Sequence, residues 1–232
     1  TQPESSAASD VYKRQDIHAD FRNDYPMNRL IQGDVGSGKT IVAILVTALA
    51  VGNNVQVAIM VPTEVLARQH YDSFKLQLDK ANIRCELILG NMKKNERSNI
   101  LAGLEDGSIS VVIGTHALIQ KDVFFHNLGL VVIDEQHRFG VNQRANLIDK
   151  GKSPHCLAMT ATPIPRTLSI TYYGDMDISI IDELPLNRIP VVTRVVEPDR
   201  LSKVYDFIRT EVSSGRQLSL IHISEPTRLR RI

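Results

Sequence analysis

The stretch "GDVGSGKT", Gly33 to Thr40, constrains this chain more than any other feature in it. Its closely spaced glycines let successive backbone N–H groups turn inward around one point. The lysine and hydroxyl at its end supply a cation and a metal ligand. Such a loop works between a strand and a helix, because the helix N-terminus adds partial positive charge to the cradle. The flanks meet that need: "NRLIQG" (Asn28–Gly33) reads as a strand, and a buried apolar helix follows from about Lys39. Gly33, Asp34, Val35, Gly36, Ser37, Gly38, Lys39 and Thr40 are therefore the expected phosphate cradle. In it Lys39 reaches the β- and γ-phosphates of a nucleotide, and the Thr40 hydroxyl ligates Mg2+.

Around this loop, short β-branched runs alternate with longer helical patterns, which predicts an α/β fold with a mostly parallel central sheet flanked by helices. Strands are expected at "VQVAIMVP" (Val55–Pro62), "RCELILG", "SVVIGTH" (Ser110–His116), "LGLVVIDE" and "HCLAMTAT" (His155–Thr162). Between them "TEVLARQHYDSFKLQL" is helical, with Ala67, Tyr71, Phe74 and Leu78 spaced to share an inward face, and "KNERSNILAGLEDG" is a polar-faced helix. Buried parallel strands are continuous apolar runs, and ligands bind beyond their carboxyl ends. That rule singles out "LGLVVIDEQHRFGV": Asp134 is the first polar residue after its strand, placed to approach the P-loop metal, and Glu135 is placed to orient the attacking water. A helix N-cap is the plainer use of two acids after a strand, and the phosphate loop argues against it.

With 27 basic and 26 acidic residues the net charge is +1, so no global basic excess advertises nucleic acid, although local loops suffice for that contact. Two distant cysteines, Cys85 and Cys156, are expected to be buried free thiols in a reducing cytoplasm. "IVAILVTALAVG" (Ile41–Gly52) is too short for a membrane span. The texture changes at "IDELPLNRIP" (Ile181–Pro190), read as a linker. Beyond it "VVTRVVEP" is expected to be a strand, and Leu201, Val204, Tyr205, Ile208 and Val212 give a helix one apolar stripe. One strand and one helix cannot bury that stripe alone, so residues 191–217 are expected to open a second domain after a first domain at 16–190. Both ends, 1–15 with "SSAASDVYKRQ" and 218–232 with "LSLIHISEPTR", resemble translated sequencing-library adapters and are set aside from the fold. A short strand with a phosphate-binding basic cluster is the literal alternative for the tail.

"DEQH" is similar to the DExH box of superfamily 2 helicases, and further motifs of that family's first motor domain follow in order. "PTEVLARQH" (Pro62–His70) resembles motif Ia, "GTHALIQ" (Gly114–Gln120) motif Ib, and "TATPIPRT" (Thr160–Thr167) motif III with its extension. The resemblance implies that Pro62, Thr63, Glu64, Gly114, Thr115 and His116 contact the nucleic-acid backbone. It implies that Gln136, Thr160, Ala161 and Thr162 link nucleotide state to strand grip, that Lys39, Asp134, Glu135 and His137 are catalytic, and that Thr40 and Asp134 hold Mg2+. As lone hydroxyls Thr63 and Thr115 read more simply as helix caps; the ordered motif set favours phosphate contact. "MNRLIQGDVGSGKT", "IDEQHRFGV", "MTATPIPRTL" and "IDELPLNR" together resemble the RecG family, and the transcription-repair coupling factors are the alternative. Gln136 favours the former, since the latter carry a second glutamate there. The implied activity is ATP-driven remodelling of branched DNA, forks and Holliday junctions, by a cytoplasmic monomer. Such a motor closes two RecA-like domains on Mg·ATP. Motifs IV to VI with the arginine finger are not found, so this chain is expected to bind Mg·ATP with little turnover. Arg138 and Arg166 do not match the finger. A P-loop nucleotide-binding module without motor activity is the remaining reading.

Overall fold

The computed structural model describes residues 16–17, 19–162, 176–181 and 191–219. Most of both end segments, the motif III extension with Arg166, and the 182–190 linker lie outside the described residues. Two compact units divide the chain, Thr1–Asn187 and Arg188–Ile232.

In the first unit, strands β1 (Asn28–Gly33), β2 (Gln56–Met60), β3 (Cys85–Ile88), β4 (Val111–Gly114), β5 (Leu128–Ile133), β6 (His155–Thr160) and β7 (Asp177–Ile181) form one sheet of order β3-β4-β2-β5-β6-β1-β7. Every pairing is parallel, so all the carboxyl ends meet one edge. Helices α1 (Lys39–Gly52), α2 (Glu64–Leu78), α3 (Lys94–Glu105) and α4 (Val141–Ile148) complete the layers.

Alternation along the strands divides the core, since successive side chains leave a strand on opposite faces. Val57 and Ile59 of β2, with Leu130 and Val132 of β5, pack with Val42 and Val46 of α1 and Phe74 and Leu78 of α2. Their neighbours Ala58, Met60, Val131 and Ile133 pack instead with Leu104 of α3 and Leu147 of α4. Strands covered on both sides must be apolar throughout, which is why β2 and β5 read as continuous runs.

The expected strands and helices of this unit form where the sequence placed them, with ends shifted by a residue or a few. Among the described elements, a helix and a strand stand out as not expected. Helix α4 follows "DEQHRFG", and β7 pairs in parallel with β1, from Arg29 opposite Asp177 to Gly33 opposite Ile181. On α2 the inward face differs by one residue. Ala67, His70, Phe74 and Leu78 are buried, and Tyr71 is only partly so.

In the second unit, residues 191–197 are exposed and form no strand, contrary to the expectation for "VVTRVVEP". A strand exists through hydrogen bonds to a neighbour, and β-branched composition alone does not supply one. A 3-10 turn at Pro198–Arg200 leads into helix α5 (Leu201–Ser213), which has no buried residue. No described helix is long and apolar enough to cross a membrane.

Candidate functional site

The phosphate loop is shaped by its glycines. Gly36 and Gly38 take left-handed φ values of 81° and 97°, which side chains rarely tolerate. A β-carbon at Gly33 would lie 2.5 Å from Ser37 Oγ and 3.0 Å from Ile181 Cβ, so the loop closes tightly back on its strand there. Gly38 is the N-cap of α1, and no side chain caps that helix. Its first N–H groups are thus not claimed by a cap, as an anion site requires.

Lys39 Nζ donates to the carbonyls of Gly33 (2.7 Å) and Asp34 (2.8 Å), which folds the ammonium over the loop. Burial pushes this ammonium below the usual lysine range, while Asp134, Glu135 and Asp34 pull it back up. The two acids after β5 therefore act on the P-loop lysine, although β6 lies between β5 and β1 in the sheet.

Asp134 and Glu135 stand in different settings. Asp134 is 8% exposed, and its N–H donates to Met60 O at 2.9 Å. Its Oδ1 accepts the Glu135 N–H at 3.0 Å, and its Oδ2 is 2.8 Å from His70 Nε2. Glu135 takes φ 48° and ψ 50°, an unusual left-handed backbone for a residue with a side chain. Its Oε2 is buried without a hydrogen-bond partner and lies 3.4 Å from His137 Nδ1, an ion-pair approach only. A residue with an unusual backbone and an unpartnered buried carboxylate oxygen persists only where the surrounding structure holds it.

Glu135 also lines a cleft of about 550 Å3 with Pro62, Thr63, Leu66, His137, Arg138 and Thr162. The chain ends of β2, β5 and β6 converge there. Thr63 caps α2, accepting from the Leu66 N–H at 3.3 Å, so the helix-cap role is realised; its hydroxyl proton can still be given to a second partner. Glu64 is exposed beside it. After β6, Thr160 Oγ1 pairs with Thr162 Oγ1 at 2.8 Å and accepts the Thr162 N–H at 3.2 Å, fixing the turn through Ala161.

The remaining expected contacts are spread more widely. Gly114 and Thr115 are buried at the end of β4, with Thr115 2% exposed and its Oγ1 unpartnered, whereas His116 is exposed. The Thr115 hydroxyl is thus enclosed. Gln136 is 1% exposed; its Oε1 accepts from Arg144 Nη1 at 3.1 Å, and its Nε2 has no partner.

Sequence reasoning missed His70 and Arg144. Each is a polar residue on a helix whose role depends on what the fold brings opposite it. The only signal for His70 was its place beside Tyr71, at the spacing of the buried face of α2.

The residues present fit a magnesium-bound nucleotide. Among the described residues no group of three or more His, Cys, Asp or Glu side chains could cage a metal. Mg2+ on a nucleotide does not need one, because phosphates and water supply most of its ligands beside one or two protein oxygens. A hydroxyl at Thr40, a carboxylate at Asp134 and the buried, unpartnered Ser37 Oγ are hard oxygen donors of that kind.

The family model for DEAD/DEAH box helicases matches residues 6–170. The ATP-dependent DNA helicase RecG of Aquifex aeolicus is 50% identical over 210 residues, covering 90% of this chain and 26% of that protein. The RecG of Bacillus subtilis is 47% identical over 219 residues, covering 94% and 32%. A solved structure of RecG bound to a three-way DNA junction matches with TM-score 0.77 and 47% identity, covering 90% of this chain and 28% of that one. The Hef helicase domain of Pyrococcus furiosus, at TM-score 0.55 and 21% identity, covers 73% of this chain and 37% of its own and shares the fold. The chain thus spans about a quarter to a third of the curated relatives it matches.

Proposed function

The chain belongs to the DEAD/DEAH box helicase family, and from that premise we propose that it is the nucleotide-binding motor domain of a RecG-type DNA helicase with the entry to a second motor domain. The observation that carries this reading is the double position of Glu135. Its charge acts on Lys39 of the phosphate loop, and it lines the cleft that holds Thr63 and Thr162. A nucleotide site and a strand-contact site are adjacent at that residue.

The family implies ATP as the nucleotide, and bound Mg·ATP supplies an electrophilic γ-phosphoryl group whose charge the metal offsets. The backbone N–H groups of Gly36 to Thr40 hold the phosphates, and Lys39 exchanges its loop carbonyls for phosphate oxygens. Thr40 and Asp134 hold the metal. Glu135, on the wall of the cleft, orients the attacking water and accepts its proton. His137 stands beside Glu135 and shares its cleft with Thr162, so a change at the γ-phosphate reaches the turn after β6. Thr63 and His116 sit at strand ends on the same edge, where hydroxyl and N–H donors suit a DNA backbone, and Glu64 opens helix α2 beside them. Gly114 and Thr115 shape the loop that carries His116. Branched DNA is the proposed substrate of the whole motor, in keeping with the junction held by the related RecG structure.

Phosphoryl transfer depends on charge from both sides of the nucleotide. This chain alone is therefore expected to bind Mg·ATP and turn it over slowly, with little stimulation by DNA. Turnover of the chain measured beside an intact RecG relative, with and without forked DNA, checks this. Vigorous DNA-stimulated hydrolysis by the chain alone would overturn it. In the intact relative, replacing the glutamate that matches Glu135 by glutamine should abolish turnover and spare ATP binding.

A further inference from the structure

We propose that His70 is a positioning residue for the metal-side carboxylate, and that it ties helix α2, and through it the strand-contact loop, to the nucleotide site. The inference rests on the reading of Asp134 as the carboxylate that faces Mg2+.

His70 Nε2 lies 2.8 Å from Asp134 Oδ2, and the two residues are 7% and 8% exposed. A carboxylate only accepts, so the proton of this hydrogen bond sits on Nε2. The other oxygen accepts the Glu135 N–H at 3.0 Å. Together the two bonds fix the rotation of the carboxylate plane. Each oxygen keeps a further lone pair, so the group can still face a metal or its water. Metal-binding carboxylates are commonly held in this way by partners that never touch the metal.

The placement of His70 explains why the partner is a histidine on this helix. It occupies the buried stripe of α2, its ring 6.1 Å from that of Phe74, where an apolar side chain would satisfy packing alone. Its Nδ1 is buried with no partner, so the imidazole is held from one side only, by Asp134. Helix α2 is capped by Thr63, which lines the cleft beside Glu135. A displacement of that helix end by a bound strand reaches Asp134 through one rigid helix and one hydrogen bond.

The test is magnesium dependence measured on the full 232-residue chain. ATP affinity is titrated calorimetrically in excess MgCl2 and again in EDTA for wild type, His70→Leu, His70→Gln and Asp134→Asn. Wild type should bind more tightly with Mg2+, and Asp134→Asn should lose that gain. His70→Leu fills the space without donating; it should lose about 10-fold or more of the magnesium-dependent affinity, the usual effect of removing such a partner, with EDTA affinity unchanged. His70→Gln restores an N–H near the same place and should recover most of the gain. The double change His70→Leu with Asp134→Asn leaves no unpaired buried charge, and it should bind as Asp134→Asn does alone. That double variant carries the test if His70→Leu does not fold.

Full magnesium dependence in His70→Leu, equal losses with and without Mg2+, or additive losses in the double variant would each overturn the proposal while leaving the nucleotide reading intact. No magnesium dependence in wild type, or its survival in Asp134→Asn, would overturn the reading of Asp134 and this proposal with it.

Discussion

Helices α2 and α5 are both amphipathic by sequence, yet they have opposite fates. Along α2, Ala67, Phe74 and Leu78 are no more than 1% exposed, sealed against β2, β4 and their neighbours. Along α5 nothing is buried: Leu201, Tyr205, Phe207 and Val212 are 45%, 57%, 64% and 51% exposed. Periodicity thus specifies a helix and its sticky side, while stability comes from the layer that covers that side. The first unit has such a layer on both faces of its sheet; the described part of the second has none.

Hydrogen exchange should give the widest separation between the two. Amides of β2 and β5 should be protected by nearly the whole unfolding free energy of the unit, about 5–15 kcal/mol for a folded domain. Those of α5 should show about 1 kcal/mol or less, the strength of a short helix on its own. Equal protection in α5 and β5 would erase the contrast. Point changes come next in size. Phe74→Ala should cost about 3–5 kcal/mol in urea unfolding followed by circular dichroism, whereas Phe207→Ala should stay within about 0.5 kcal/mol. A large loss at Phe207 would mean that α5 is covered after all.

The mildest probe uses the thiols. Burial pushes Cys85 up to about 12 and Cys156 up to about 11, against about 8.5 for a free cysteine. Both should resist alkylation at pH 8 until the unit unfolds, while an added Val212→Cys should react at once. Because the folded pKa values are raised, their contribution to stability is complete below about pH 8.5. It should then fall as pH climbs toward 11 and 12, which melting at stepped pH would record.

The same contrast separates what the sequence discloses from what it withholds. Gly33–Thr40 is legible because its chemistry is local: one short stretch contains both the turn and the groups that use it. Asp134 and Glu135 are legible because an apolar strand marks where its end must be. His70 is not, since its partner Asp134 is remote in the chain and only the packing of α2 across β2 and β5 brings them together. Arg144 is hidden for a related reason, as α4 itself was not expected and Gln136 gave no hint of needing a partner. The strands teach this most directly. "VVTRVVEP" has strong β-composition and forms no strand, while the less suggestive "DISII" forms β7 because β1 lies beside it.

The position of β7 bears on how this chain can be shortened. Among the described strands it is the outermost on its side of the sheet, and it covers the flank of β1 that β6 leaves bare. A version cut back before Asp177 would turn the strand that feeds the phosphate loop into an open edge. Its unpaired N–H and C=O groups would then be offered to any other extended chain, the usual starting point for aggregation. A few residues on the flank of β1, ending opposite Gly33, therefore decide whether a trimmed first unit stays in solution long enough to be assayed.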